Sequence, residues 1–361
     1  MHGPFISRRK MVRGTVMSLV ALALGLSPNT AHASETARPN IVFIMADDLG
    51  YADVGCNGAP ELQTPHIDAL AARGVRFVQG YANSAVCSAT RVALMTGRYQ
   101  YRVRIGLEEP LASNEREGLD PTHPTLPSLL KKAGYATTLV GKWHLGLLPK
   151  HGPLQSGYDE FFGFRGGAVD YFTHRERGQE DLWDGDMPVE HAGYLTELLG
   201  DRAVSVVNKR AKAGEPFLLS LHFSAPHWPW EGPGDKAEAE RLSKPGTHGG
   251  LFHYDGGSLQ TYRRMVESMD QQIGRVLQAL EQNGLTENTI VVFTSDNGGE
   301  RFSNTWPFSG RKTELLEGGL RVPTILSWPA RLPQGCVSQQ VAITMDWLPT
   351  LLAAAGAPHD P

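Results

Sequence analysis

Short apolar runs rich in β-branched residues alternate along this chain with longer segments in which apolar residues recur at helical spacing. This alternation is typical of an α/β protein with a central, mainly parallel sheet flanked by helices. The pattern predicts strands at Ile41–Met45, Val75–Tyr81, Ala136–Val140, Phe217–Phe223, Ile290–Thr294 and Thr324–Ser327.

Capping signals mark the ends of the helices between these strands. Thr64 stands at an N-cap position before Pro65, and Gly74 follows the last helical residues. Thr125 and Gly134 bracket a second helix in the same way. The remaining predictions are an amphipathic helix over Leu259–Asn283, a helix over Trp347–Ala355 and a long loop over Pro226–Gly257.

The N-terminus has the pattern of an export signal. Basic residues precede an apolar run over Val16–Leu26, and Ala31, His32 and Ala33 then form a small-x-small cleavage site. We therefore expect a signal peptide over residues 1–33 and a mature domain over 34–361. The apolar run is shorter than the ~20 residues that span a bilayer, which argues against stable membrane insertion. Ser7–Val12 has the twin-arginine pattern, so the hypothesis includes export in the folded state to the periplasm or medium.

Composition excludes some classes of protein. Hydrophobic residues make up 41% of the 361 residues, which is enough for a large core, and the formal charge of -4 shows no basic excess of the kind that nucleic-acid binding requires. Three cysteines remain after export, Cys56, Cys87 and Cys336, which is too few and odd in number for a disulfide scaffold. Whether Cys56 and Cys336 are paired stays open.

Polar side chains follow four of the predicted strands. They are Asp47 and Asp48, Lys142 and His144, His227, and Asp296 and Asn297. Because ligands of open parallel sheets bind beyond the carboxyl ends of the strands, these four groups are expected to converge on one site. Three carboxylates and one amide supply only oxygen ligands, which suit a hard cation such as calcium or magnesium. Either pair alone is equally typical of a helix cap or a turn.

Cys87 precedes a short predicted helix that ends at Gly97. A helix N-terminus favours anions and lowers a thiol pKa, so Cys87 is placed as a nucleophile, although a small buried cysteine fits the pattern equally well. Lys142 and His144 are two residues apart, which in an extended segment would put both on one face. An ordinary strand-to-loop turn is the alternative for that pair.

Four segments carry a resemblance to the sulfatase family, in its formylglycine-dependent, arylsulfatase-like branch within the alkaline phosphatase-like superfamily. CSATRVALMTGR from Cys87 resembles the first family signature, and GYATTLVGKWHLG from Gly134 resembles the second. NIVFIMADDLGYADVG from Asn40 and TSDNGGE from Thr294 are similar to its metal-binding segments. The resemblance implies an alkaline phosphatase-like α/β sandwich over the mature chain.

The resemblance also implies the roles of the site residues. A maturation enzyme would oxidise Cys87 to formylglycine, whose hydrated aldehyde attacks sulfur with one hydroxyl and expels sulfate with the other. Asp47, Asp48, Asp296 and Asn297 would hold one Ca²⁺ ion. Arg91 and Lys142 would orient the hydrate, and His144 would take a proton from it. His227 and Lys312 would grip sulfate and protonate the departing alcohol, with Arg311 as the alternative to Lys312 in the alignment.

Two features depart from the family pattern. The commonest maturation motif has proline two residues after the cysteine, and this chain has Ala89 there. Family members normally continue into a smaller C-terminal domain with an antiparallel sheet, whereas this chain stops at Pro361, so we expect either that the sequence is a fragment or that the domain is missing.

The expected reaction is hydrolysis of an aryl or carbohydrate sulfate monoester. Trp228, Trp230 and Trp306 are candidates for stacking on the substrate, and Arg98, Arg102 and Arg104 are candidates for meeting further sulfates, with packing and solvated surface as the alternatives. Two other functions stay open. One is phosphoester or phosphonate-ester hydrolysis on the same scaffold; the other is an inactive, truncated relative that binds calcium or sulfated glycans.

Overall fold

The computed structural model describes residues 38–59, 61–244 and 256–358. The expected signal peptide lies outside these residues and stays a prediction. Ten strands of the described chain form one sheet. The strands are β1 Asn40–Ala46, β2 Val75–Tyr81, β3 Ala136–Lys142, β4 Glu160–Phe164, β7 Trp183–Asp184, β8 Met187–Pro188, β9 Phe217–His222, β10 Thr289–Ser295, β11 Ile325–Ser327 and β12 Cys336–Ile343. Their order in the sheet is β12-β2-β11-β10-β1-β9-β3-β4-β7-β8. A separate hairpin consists of β5 Arg175–Glu176 and β6 Gln179–Glu180.

The described helices pack on both faces of the sheet. They are α1 Pro65–Ala72, α2 Cys87–Thr96, α3 Leu126–Lys132, α4 Leu195–Ala213, α5 Lys236–Leu242, α6 Leu259–Gln282, α7 Glu317–Leu320 and α8 Trp347–Ala354. None of the helices in the described part of the chain has the length and apolar character that crossing a membrane needs. The prediction of a long unstructured loop over Pro226–Gly257 is wrong at α5; residues 245–255 lie outside the described part.

The centre of the sheet is parallel. β10, β1, β9, β3 and β4 pair with one another in parallel, so their carboxyl ends meet at one edge. Alternate residues of β1 enter two hydrophobic clusters: Ile41, Phe43 and Met45 pack beneath α2, α3 and α8, and Val42, Ile44 and Ala46 pack beneath α1, α4 and α6. Strands buried on both faces read as continuous apolar runs, which is why the predicted strands match those in the structure.

The capping predictions were right at one helix and wrong in detail at another. The side chain of Thr125 accepts a hydrogen bond from the backbone of Ser128 in a capping box, as the sequence indicates. Thr64 precedes α1 but makes no capping hydrogen bond, because its hydroxyl accepts from the backbone of Gly55 at 2.8 Å. Asp270 of α6 caps α1 instead and accepts from the backbone of Ile67 at 2.8 Å. A long-range contact therefore replaces the local cap.

Candidate active site

Polar residues from three central strand ends lie together at the carboxyl edge of the sheet. Asp47 and Asp48 follow β1, Lys142 ends β3, and Asp296 and Asn297 follow β10. Lys142 donates from Nζ to Oδ2 of Asp47 at 2.6 Å, and both side chains are fully buried. Nδ2 of Asn297 donates to Oδ1 of Asp48 at 2.7 Å. The convergence predicted from the strand ends is confirmed.

Helix α2 brings a cysteine and a cation to this edge. Cys87 is its first residue, with 3% of its surface exposed. Arg91 lies one turn later and donates from Nε and Nη2 to Oδ2 of Asp296, at 3.0 and 2.8 Å. Its Nη1 also donates to the carbonyl of Lys142 at 3.1 Å. These contacts hold the buried guanidinium beside the start of the helix, where anions are stabilised.

His144 faces Cys87 with an unprotonated nitrogen. Its Nε2 lies 3.0 Å from the carbonyl oxygen of Leu111, which can only accept a hydrogen bond, so Nε2 carries the proton. The lone pair of Nδ1 therefore points at Sγ of Cys87, 3.3 Å away. Burial, and then the charges of Lys142 and Arg91, hold the pKa of His144 well below its usual range. The ring is neutral and placed to accept a proton.

The prediction that Lys142 and His144 share one face of an extended segment is wrong. His144 adopts φ 57°, a left-handed conformation that side chains other than glycine seldom occupy. The turn sends Lys142 to Asp47 and His144 to Cys87. Asp48 has a similar φ of 65°, so two residues of the site have strained backbones.

Lys312 and His227 close the site from two loops. Lys312 donates from Nζ to Oδ2 of Asp48 at 2.6 Å. Burial lowers its pKa, but Asp48, Cys87 and Asp47 together outweigh that effect, so the pKa of Lys312 rises above its usual value. Arg311, the alternative in the sequence analysis, is exposed and lies 3.8 Å from Glu314. The structure therefore brings Lys312, and not Arg311, into the cluster.

His227 lies in the cluster between Trp228 and Asp48. Its Nδ1 lies 2.6 Å from the carbonyl oxygen of Trp228 and donates a hydrogen bond to it. In the neutral ring Nε2 is then unprotonated, and it lies 3.6 Å from Oδ2 of Asp48. Burial, and then Lys312 and Lys142, lower the pKa of His227 well below its usual range. In this arrangement the one ring proton of His227 is donated to Trp228, whereas Lys312 donates towards Asp48.

The oxygen-rich cluster fits a divalent metal ion. Oδ1 of Asp47 and Oδ1 of Asn297 are buried without a hydrogen-bond partner among the described residues. Ligand atoms of Asp47, Cys87 and Asp296 lie within 4.8 Å of one another, as do those of Asp47, Asp48 and His227. Burial, and then the neighbouring Asp296, raise the pKa of Asp47 well above its usual value, and a dication would favour its ionised form.

Sequence reasoning missed His222, the last residue of β9. Its Nδ1 lies 3.4 Å from Nη1 of Arg91 and 3.3 Å from the carbonyl of Lys142. Burial, and then Arg91, lower the pKa of His222 to about 3, so the ring is neutral. The same strand-end rule that singled out Asp47 would have found it.

The cluster opens into a cavity of about 850 Å³. Cys87, His144, His227 and Lys312 lie at its base. Trp228 and Trp230 are in its wall, but Trp306 is 69% exposed and does not line it. None of the three arginines expected to meet further sulfates lines this cavity. Other charged side chains do, namely Glu176, Arg177, Glu300, Arg301 and Arg311.

Residues 39–357 match the sequence model of one family, which is described as Sulfatase. The chain belongs to the sulfatase family. It is 33% identical to N-acetylgalactosamine-6-sulfatase of Mus musculus over 94% of its length and 32% identical to arylsulfatase J of Mus musculus over 90%. It spans 66% and 54% of the lengths of these two relatives.

Solved structures agree with this family and with its alkaline phosphatase-like fold. The crystal structure of Ps i-CgsB superposes with a TM-score of 0.80 at 34% identity, covering 90% of this chain and 73% of that one. The same protein has been crystallised in complex with k-i-k-neocarrahexaose. PsFucS1 sulfatase from Pseudoalteromonas sp. superposes with a TM-score of 0.72 at 28% identity, covering 89% and 68%.

Proposed function

We propose that this sulfatase-family chain hydrolyses sulfate monoesters to an alcohol and inorganic sulfate. One observation carries the proposal: Sγ of Cys87 lies at a helix N-terminus and 3.3 Å from a neutral histidine nitrogen. The buried cations Arg91 and Lys142 and the partly buried Lys312 place positive charge around that position. Charge develops on oxygen during sulfuryl transfer, so fixed cations stabilise the transition state with little reorganisation.

We propose formylglycine, made from Cys87 by a maturation enzyme, as the nucleophile. The hydrated aldehyde would supply an attacking oxygen where the thiol sulfur now stands. His144 is placed to accept a proton at Nδ1, while its Nε2–H bond to Leu111 keeps the ring in that orientation. Arg91, held by Asp296, and Lys142, held by Asp47, would orient the modified residue. Lys312 and His227 would hold the sulfate group, and Lys312 would donate a proton to the departing alcohol.

We propose Ca²⁺ as the metal, held by Asp47, Asp48, Asp296 and Asn297. The unpartnered oxygens of Asp47 and Asn297 and the absence of sulfur or nitrogen from this set favour a hard cation. When bound, the ion would add a Lewis acid beside the reacting sulfate.

We propose that the substrate is a carbohydrate sulfate and that the protein is exported and meets this substrate outside the cytoplasm. The cavity combines two indole rings with several charged side chains, a mixture that suits a hydroxylated, anionic ring. Several relatives are named for action on sulfated sugars. Export rests on the signal pattern of residues 1–33.

Expression with and without a formylglycine-generating enzyme tests the proposal. The mass of the tryptic peptide that contains Cys87 reports conversion, and turnover of 4-nitrophenyl sulfate and 4-nitrophenyl phosphate reports the reaction. We expect a converted peptide and a higher kcat/KM for the sulfate, with a Cys87→Ala variant inactive on both. A converted protein that prefers the phosphate would point to a phosphoester hydrolase. A converted protein inactive on aryl and sugar sulfates would point to a binding protein.

A further inference from the structure

A second cavity, of about 630 Å³, shares no lining residue with the catalytic cavity. Its wall is built from residues 98–124, which connect α2 to α3, and from the turn at Lys150 and His151. Four cationic side chains line it, Arg98, Arg104, Arg116 and Lys150, against two carboxylates, Glu117 and Asp120. The positive excess stands out in a chain whose formal charge is -4.

Three of these cations form no close ion pair within the described part of the chain. Arg104 lies 2.6 Å from Glu108 and 3.8 Å from Glu117. Over residues 38–59, 61–244 and 256–358, the side chains of Arg98, Arg116 and Lys150 form no ion pair. These three remain available for an external anion.

The carboxylate of Asp120 is already engaged. It accepts hydrogen bonds from the backbone and hydroxyl of Thr122, at 2.9 and 2.8 Å. Those bonds, and then the charge of Lys150, hold the pKa of Asp120 below its usual range. A ligand therefore meets three cations without a close ion pair, beside Asp120, which is bonded to Thr122, and Glu117, which lies 3.8 Å from Arg104.

A metal ion does not suit this cavity. The two groups of potential metal ligands found in the described chain both lie at the catalytic cluster. Guanidinium and ammonium groups instead match the oxygens of a tetrahedral oxyanion. We propose that Arg98, Arg116 and Lys150 bind a sulfate-class oxyanion in this cavity, either free inorganic sulfate or a sulfate substituent of a glycan chain.

The path of the chain relates the two cavities. Residues 110–113 line the catalytic cavity and residues 116–118 line the basic one. Ser113 and Arg116 are three positions apart in the chain, so their backbones are separated by at most about 10 Å. A sulfated glycan of a few units in the catalytic cavity is therefore long enough to place another sulfate in the basic cavity. This glycan alternative rests on the proposed function, whereas binding of a free anion does not.

Equilibrium binding to the full chain tests the proposal without turnover. Both proteins carry Cys87→Ala, and the test protein also carries Arg98→Ala, Arg116→Ala and Lys150→Ala. A matched control removes three exposed cations elsewhere, by Arg73→Ala, Lys212→Ala and Lys244→Ala. The probes are sodium sulfate and a sulfated carrageenan hexasaccharide, titrated calorimetrically at low ionic strength, because surface charges are screened by salt. Circular dichroism checks that the variants are folded.

We expect the triple variant to bind at least one probe about tenfold more weakly, as the loss of charge-assisted contacts predicts, and the control to be unchanged. If the triple variant binds one equivalent of inorganic sulfate fewer than the control does, the cavity is a site for the free anion. Weaker hexasaccharide binding with unchanged sulfate binding identifies a glycan subsite. Unchanged affinity for both probes, or equal losses in the control, overturns the proposal. An inactive matured enzyme would contradict the proposed function and leave the free-anion result standing.

Discussion

Nδ1 of His144 lies 3.3 Å from Sγ of Cys87, although 57 residues separate them in the chain. The contact depends on the left-handed backbone of His144 and on the bond from its Nε2 to the carbonyl of Leu111. Together these features present an unprotonated nitrogen to the proposed nucleophile.

Replacing His144 by alanine is expected to lower kcat by about 10²- to 10⁴-fold, the usual contribution of a positioned base. Because burial already keeps this histidine neutral, the loss should persist from pH 6 to 9. Steady-state and single-turnover rates of the matured variant and wild-type proteins measure this loss of kcat. The mass of the Cys87 peptide serves as the control, and wild-type turnover by a fully converted variant would refute the role.

Substitutions of Lys312 and Arg311 are expected to differ sharply in their effect on catalysis. Lys312→Met removes a partly buried ammonium 2.6 Å from Asp48 and should lower kcat/KM about 10²-fold or more. Arg311→Met removes an exposed side chain beside Glu314 and should change kcat less than about threefold. Steady-state kinetics of both variants on one aryl sulfate test this prediction. A larger loss of activity in the Arg311 variant would assign the catalytic role to Arg311 instead of Lys312.

Calcium is expected to stabilise the folded protein. Calcium at about 100 times its Kd should add about 2.7 kcal/mol to the free energy of unfolding, seen as a rise in Tm after chelation and re-addition. The shift should disappear in Asp296→Asn, because that carboxylate belongs to the oxygen-rich cluster. Magnesium at the same concentration is the control, and an equal shift with both ions would contradict selectivity for calcium.

Tyr171 is expected to position His227. Its buried hydroxyl donates to the carbonyl of His227 at 2.9 Å, so Tyr171→Phe should cost about 1 kcal/mol of stability and also lower kcat. Tyr135→Phe is the matched control, because that hydroxyl donates to the carbonyl of Pro39 before β1, at the other edge of the sheet. The control should lose similar stability in urea denaturation and keep its kcat. Equal kcat values for Tyr171→Phe and Tyr135→Phe would rule out a role of Tyr171 in positioning His227.

Stability is expected to fall as pH rises through the neutral range because of Glu231. Burial, and then the charge of Asp170, raise the pKa of Glu231 to about 9. Between its unfolded value of about 4.5 and 9, the folded chain holds a proton that the unfolded chain releases, so the free energy of unfolding decreases with pH. The slope from one proton is at most about 1.4 kcal/mol per pH unit. Urea denaturation from pH 5 to 9 should show a flatter profile in Glu231→Gln, and identical slopes would be the contrary result.

The sheet and much of the site follow from local patterns. Ile41–Met45 reads as a buried strand because both of its faces are covered, and Asp47 and Asp48 must then emerge at its carboxyl end. Asp296 and Asn297 follow from β10 by the same argument. The helical start at Cys87 and its stop at Gly97, where φ is 63°, are likewise encoded by neighbouring residues.

The sequence by itself therefore determined the family, the order of the strands along the chain, and the groups that meet at their ends, because these depend on apolar periodicity and short motifs. Only the tertiary structure decided how those groups are oriented. The turn at His144, the cap that Asp270 provides for α1, the choice of Lys312 over Arg311 and the basic cavity all depend on contacts between residues distant in the chain. Local spacing carries no information about such contacts, because they form when packing brings separate elements together.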